Sequence, residues 1–139
     1  MMMRVYLSGQ FEDGTTLCEV RRQLQAAGYS VTSRWLDAVG DGPATAQASD
    51  SGADTRLAGI ARQDFEDIDR SDMVVVFNPA EACSIGRGGR HVETGYALAR
   101  GKRVLVVGAR GNVFHWLPEI TVLHDWPALV ELLATAEHA

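Results

Sequence analysis

Short apolar runs alternate with longer amphipathic stretches along the whole of this 139-residue chain. Arg4-Val5-Tyr6-Leu7 reads as a first strand that runs out into Ser8-Gly9-Gln10-Phe11. Leu17, Val20 and Leu24 then recur at helical spacing, with Thr15 or Thr16 placed to cap that helix and Gly28 to stop it. Tyr29-Ser30-Val31-Thr32 reads as a short second strand. From Asp54 to Arg70 the helical period returns, Met73-Val74-Val75-Val76-Phe77 is a buried strand, and Arg103 to Gly108 is the next. The helix between those two strands begins near Gly88 or Gly89. Ile120-Thr121-Val122-Leu123 adds a last strand, and Trp126 to Ala136 a closing helix that Asp125 can cap.

This alternation predicts an α/β fold, an open, mainly parallel five-stranded sheet with helices on both faces. Right-handed crossovers bring the loops after Leu7, Phe77 and Val107 to one edge of the sheet, where open α/β folds place their ligands. The polar segment from Asp37 to Asp54 holds Gly40, Gly42, Pro43 and Gly52 and is long for a compact domain. It reads as a lid over a site or as a partly disordered stretch.

Composition narrows the possibilities without naming a function. The length suits a single domain over residues 1–139. Thirteen Lys and Arg against 18 Asp and Glu give a net charge of -5, so no nucleic-acid polymer is expected as a partner. Cys18 and Cys83 lack metal-ligand spacing and read as reduced thiols of a cytoplasmic protein. No signal-peptide core precedes Val5 and no apolar run reaches a membrane-spanning length, so no membrane association is expected.

Two carboxylates stand out. Glu93 lies in an early turn of the helix that starts near Gly88, close to the ligand edge of the sheet. Asp64 falls on the stripe made by Leu57, Ile60, Ala61 and Ile68, whereas Glu66, Asp67 and Asp69 point sideways or outward on the same wheel. A carboxylate on a core-facing stripe needs an arginine partner, a cap or a cleft. Two carboxylates at one cleft suit cleavage of a glycosidic bond, in which one attacks or stabilises the cationic sugar carbon and the other moves a proton. No histidine or aspartate set completes a metal shell around them, so no metal is expected.

Ser84-Ile85-Gly86-Arg87-Gly88-Gly89-Arg90 runs into a helix N-terminus, where backbone N–H groups can meet an anion and Arg87 and Arg90 can grip a phosphate or a sugar hydroxyl. It is neither a phosphate loop with Gly-Lys-Ser/Thr nor a dinucleotide fingerprint, and no cofactor is expected. A plain surface loop fits the same residues. Ser8 and Gly9 sit at the matching edge. Tyr6, Phe11, Trp35, Phe77 and Trp116 are candidate ring contacts or core packing, and Asn112 follows a strong strand and can reach a site across a subunit boundary.

Three blocks carry a resemblance: Val5 to Gly9, Asp64 to Asp72, and Glu93-Thr94-Gly95-Tyr96-Ala97 followed by Gly101-Lys102. In this order they resemble the nucleoside 2-deoxyribosyltransferase family, with its nucleotide N-glycosidase relatives, over most of the chain outside residues 37–54. The resemblance implies a Rossmann-like or flavodoxin-like three-layer sandwich. It implies Glu93 as the nucleophile that takes up the sugar, Asp64 as the acid that engages the base, and Ser8 and Gly9 in the pocket floor. It also implies a homodimer or larger assembly to which Asn112 contributes. Substrate contacts are then expected from Ser8, Gly9, Phe11, Trp35, Ser84, Gly86, Arg87, Gly88, Gly89, Arg90 and Asn112, with deoxyribosyl transfer ahead of hydrolysis.

The chain departs from the family before the nucleophile. Nucleoside-specific members carry an aspartate there, yet no aspartate lies between Asn78 and Glu93. That shifts the expectation toward a 5'-phosphorylated substrate. Glu12 and Asp13 in the first loop oppose it, because two acids repel a phosphate.

Overall fold

The computed structural model describes residues 2–41, 53–79 and 88–137. Five strands form one all-parallel sheet in the order β2-β1-β3-β4-β5: β1 Arg4–Ser8, β2 Ser30–Val31, β3 Met73–Asn78, β4 Arg103–Gly108 and β5 Ile120–Leu123. Four α-helices flank it: α1 Gly14–Ala26, α2 Ala53–Asp69, α3 Gly89–Ala99 and α4 Trp126–Glu137.

The apolar runs in β1, β3 and β4 follow from burial on both faces, since a parallel strand has no solvated side. Val5, Leu7, Met73, Val75, Leu105 and Val107 share one face with Leu17, Val20 and Leu24 of α1 and Leu129 and Leu133 of α4. Tyr6, Val74, Val76, Val104, Val106 and Ile120 pack on the other face with Ile68 of α2 and Ala97 of α3. The strand order reverses between β1 and β3, which makes the crevice beyond their C-terminal ends the natural ligand position. Ser8, Asn78 and Gly108 end their strands at this edge.

Several local expectations change. Neither Thr15 nor Thr16 caps α1, because a 3-10 turn, Phe11–Asp13, runs straight into the helix and carries it back to Gly14. Gly14 is required there by contact: a Cβ would come within 2.6 Å of Val39 Cγ2. The segment from Asp37 is not all open loop, since a 3-10 stretch spans Arg34–Asp41 and buries Leu36. Residues 42–52 of the supposed lid lie outside the described residues. Gly28 ends α1 with φ 96°, as read, and Asp125 Oδ1 accepts from Ala128 N at 3.0 Å at the start of α4. No helix among the described residues is long and apolar enough to cross a membrane.

Candidate functional site

Tyr6 and Ser8 lie two residues apart on β1, so their side chains leave the same face of the strand. Both are fully buried. They meet at Glu93: Tyr6 OH donates to Oε2 at 2.6 Å and Ser8 Oγ donates to Oε1 at 2.7 Å. The glutamate reaches them from the second turn of α3, which Gly88 opens in a left-handed conformation at φ 75°. Each carboxylate oxygen thus has one hydroxyl donor while the group remains only partly buried. Burial pushes the Glu93 carboxyl up, and the hydrogen bonds from Tyr6, Ser8 and Asp64 pull it back.

Asp64 of α2 is the third polar group at this point. Its pKa is raised to about 7, first by burial, then by the Glu93 charge and then by Asp67. It shares a hydrogen bond with Glu93 that favours the proton on Asp64 and the charge on Glu93. Asp64 Oδ1 is shielded from solvent and has no hydrogen-bond partner. Burial, followed by the Glu93 charge, also drives the Tyr6 phenol well above its ordinary value, which keeps it a donor.

The arginine ion pair weighed for Asp64 belongs to Asp67. The helical wheel put Asp67 sideways or outward, but it is fully buried. Arg34 covers it, with N at 3.0 Å from Oδ2 and Nε at 2.8 Å from Oδ1, and Arg70 pairs with it from the helix end. The stripe itself holds only at its C-terminal part. Ile68 is buried, whereas Leu57 and Ala61 are exposed.

Trp35 donates Nε1–H to Leu7 O at 2.9 Å, and its ring lies 6.5 Å from that of Phe11, tilted by 46°. The pair flanks the exit of β1. Gly9 sits between them and α1, where a Cβ would meet Leu17 Cδ1 at 2.8 Å. Tyr96 stacks on Phe65 at 4.1 Å and donates to Asp69, so it belongs to the packing of α3 on α2.

Arg90 does not stand free in a phosphate claw. It is 8% exposed, and its Nε donates to Asn78 Oδ1 at 3.0 Å. Asn78 Nδ2 in turn donates to Ala109 O at 2.7 Å, so the end of β3, the loop after β4 and the first turn of α3 are tied together. Nor does the Arg90 side chain pair along its own helix with Thr94: Thr94 Oγ1 donates to the Arg90 backbone oxygen at 2.7 Å. Gly88 and Gly89 open α3, and nothing within 4 Å would meet a Cβ at either. Ser84, Gly86 and Arg87 lie outside the described residues.

Asn112 caps the 3-10 turn Val113–Trp116, accepting from Phe114 N at 3.0 Å, and its Nδ2 lies 3.2 Å from His91 Nδ1 of its own chain. Trp116 is 69% exposed and stacks with Arg110, away from the core role considered for it. Among the described residues no group of three His, Cys, Asp or Glu is placed to hold a metal ion.

The sequence reading missed Tyr6 as a holder of Glu93 and Asn78 as a partner of Arg90. The period of two along β1 was the available signal for Tyr6, since it puts Tyr6 on the same face as Ser8. Asn78 offered none, because its partner is twelve residues away in sequence.

With this geometry in view, comparison with solved structures becomes informative. A 2-deoxyribosyltransferase of Bacillus psychrosaccharolyticus superimposes with a TM-score of 0.66 at 15% identity, covering 91% of this chain and 90% of that one. The chain has the fold of that enzyme. A CMP N-glycosidase of Clostridium botulinum, BcmB, gives 0.57 at 15% identity over 95% of this chain and 98% of its own. A conserved protein of Enterococcus faecalis V583 gives 0.60 at 14% identity over 98% and 99%. Neither the protein-family models nor the curated proteins contain a match to this chain. The five-stranded parallel sheet in the order 2-1-3-4-5 is a flavodoxin-like arrangement, as the resemblance implied, and all-parallel, close to the mainly parallel sheet that the alternation of elements predicted.

Proposed function

We propose that the protein is a nucleoside 2-deoxyribosyltransferase-like enzyme that cleaves the N-glycosidic bond of 2'-deoxynucleosides or their 5'-monophosphates and passes the deoxyribosyl group to another nucleobase. The observation that carries this reading is the Glu93 carboxylate with a hydroxyl donor on each oxygen and Asp64 beside it, its pKa raised to about 7 by burial and the Glu93 charge. The likeness in fold to a 2-deoxyribosyltransferase and a CMP N-glycosidase supports it.

In this mechanism a Glu93 oxygen attacks the anomeric carbon as the bond to the base breaks. The electron pair of that bond goes to the base nitrogen, and Asp64 delivers a proton to the base. Tyr6 and Ser8 hold the glutamate in its charged form and aim it. The resulting glycosyl ester is opened when a second base attacks the same carbon, its proton returns to Asp64, and Glu93 leaves. Closing the cycle needs no cofactor. Phe11 and Trp35 flank the exit of β1, where a base ring can stack.

Water as acceptor gives N-glycoside hydrolysis, a second reading favoured by the nearly complete overlap with the CMP N-glycosidase. The exposed Val92, Val113, Phe114 and Trp116, next to Asn112 and His91, support a homodimer or larger assembly, and the setting that fits is cytoplasmic nucleotide salvage.

Intact-mass spectrometry with a 2'-fluoro-2'-deoxynucleoside tests the covalent step. The expected result is a glycosyl mass gain in the wild type that is absent from Glu93→Ala. No gain, or the same gain in both, overturns the nucleophile. Chromatography with and without added adenine or cytosine separates the acceptors, since free deoxyribose at an unchanged rate rejects transfer. Saturable nucleotide binding without bond cleavage, unaffected by Glu93→Gln, would instead mark a non-catalytic binding module.

A further inference from the structure

The segment that leaves β1 carries two buried polar atoms with nothing to bind. Gln10 Nε2 and Asp13 Oδ2 are both shielded from solvent and both lack a hydrogen-bond partner. Gln10 precedes the 3-10 turn Phe11–Asp13 and Asp13 ends it, with Asp13 N donating to Gln10 O at 3.0 Å, just beyond the Ser8 hydroxyl that holds Glu93. An amide nitrogen only donates, and an ionised carboxylate only accepts. Leaving one of each unpaired destabilises the free protein, and a ligand that pairs them removes that cost. A hydroxyl has the chemistry for both, because it can accept from the amide and donate to the carboxylate. A phosphate dianion offers acceptors alone. Gln10 and Asp13 are each only partly buried as whole residues, so side-chain rotation turns either atom toward a ligand.

The charges around this segment favour the same kind of ligand. Glu12 lies beside Asp13, and Arg90 faces it. Arg90 is nearly buried and its Nε is already engaged by Asn78. The imidazoles near Arg90 offer no further positive charge. Burial, then the Arg90 charge, holds His91 below its ordinary range, and burial, then His91, Arg90 and Arg110, does the same for His115. Around the Phe11–Asp13 turn the Glu12 and Asp13 carboxylates therefore meet an Arg90 guanidinium already committed to Asn78. The acidic first loop and the basic start of α3, which pull opposite ways in the sequence, oppose each other in space and largely cancel.

We propose that Gln10 and Asp13 form a subsite that reads a hydroxyl of the sugar, and that Asp13 excludes a phosphate ester from it. This rests on the N-glycoside reading above and narrows the substrate to unphosphorylated 2'-deoxynucleosides. The hydroxyl read is the 5' one, since that is the oxygen a 5'-monophosphate esterifies.

Calorimetric binding to full-length Glu93→Gln protein, in which the chemistry is blocked, provides the test. The probes are 2'-deoxyadenosine and 2'-deoxycytidine, their 5'-monophosphates, and their 3'-deoxy and 5'-deoxy analogues. The nucleosides should bind about 10- to 100-fold tighter than the monophosphates. Asp13→Asn should narrow that gap by at least about tenfold. Removal of the 5' hydroxyl should weaken binding in the parent and have no further effect in Asp13→Ala, whereas removal of the 3' hydroxyl should cost both proteins the same. Gln10→Met, which removes the donor without altering charge, should lose the hydroxyl contribution and keep the phosphate penalty, so the claim stands or falls even if the Asp13 variants do not fold. Tighter binding of the monophosphates, or an Asp13→Asn loss equal for both ligand classes, overturns the subsite. Asp13-dependent discrimination in a wild type that leaves the glycosidic bond intact overturns the N-glycoside reading alone. Equal cleavage of nucleoside and monophosphate overturns the subsite alone.

Discussion

Asp64 and Asp67 stand one helical turn apart on α2 and carry opposite electrostatic burdens. Asp67 is fully buried and held by Arg34 and Arg70, so its charge is matched. Asp64 has no arginine ion pair among the described residues, only a minor pull from the Arg34 charge, and it has one unpaired oxygen and the Glu93 carboxylate for a neighbour. The first is a structural anchor, and the second is the group proposed above to hold and release a proton.

Turnover should therefore depend on pH in a defined direction. Asp64 acts while protonated, so the rate should fall as pH rises through about 7, the value to which burial and the Glu93 charge lift it. Asp64→Asn should remove this alkaline limb and lower kcat by roughly 100-fold or more. Rate profiles between pH 5 and pH 9, run at about unit intervals, check both; an alkaline limb that survives in Asp64→Asn belongs to another group.

Stability should move with the same proton. A carboxyl whose folded-state pKa is raised above its unfolded value of 3.8 contributes stability at low pH that is lost as pH climbs through about 7. Asp64→Asn, permanently neutral, escapes that loss. Its melting temperature should gain on the wild type between pH 4 and pH 8, approximate end points chosen to bracket the shift. A difference that does not change with pH would mean that Asp64 is ionised in the fold throughout.

Tyr6→Phe and Ser8→Ala each delete one donor to Glu93. Loss of a hydrogen bond to the charged form raises the Glu93 pKa, so the acidic limb of the rate profile should shift upward in both variants. A charge-assisted bond of about 1.5 to 3 kcal/mol corresponds to a loss of about one to two orders of magnitude in turnover. Unchanged acidic limbs would show that these hydroxyls orient the glutamate without tuning it.

Arg90 belongs to the clamp through Asn78 that fixes the first turn of α3, one turn ahead of Glu93. Arg90→Ala and Asn78→Ala should reduce kcat similarly for nucleosides and their monophosphates, by about tenfold or more for a buried hydrogen bond. A loss confined to monophosphates would return Arg90 to the phosphate-binding role that its sequence context suggests.

Every strand and α-helix of the described residues was legible from hydrophobic periodicity, as was the edge where the site lies, because a parallel sheet buried on both faces leaves a plain pattern. Periodicity failed where a neighbouring segment decides the outcome. Asp67 reads as peripheral on the helical wheel, yet the 3-10 stretch Arg34–Asp41 brings Arg34 over it and buries it. Leu57 reads as core on the same wheel, but is 42% exposed near the start of α2. Glu93 and Asp64 were singled out by their positions, and the fold brings the two side chains together. The bond from Tyr6 to Glu93 was not, because it spans 87 residues of sequence and local patterns carry no distance information on that scale.

The residues that grip Glu93 come from β1, among the most deeply buried strands in the sheet. Segments of this kind exchange their amide hydrogens last, since opening them requires opening the whole molecule. Loss of activity on heating should thus coincide with loss of the fold itself, leaving no temperature window in which the chain stays compact with its carboxylate adrift.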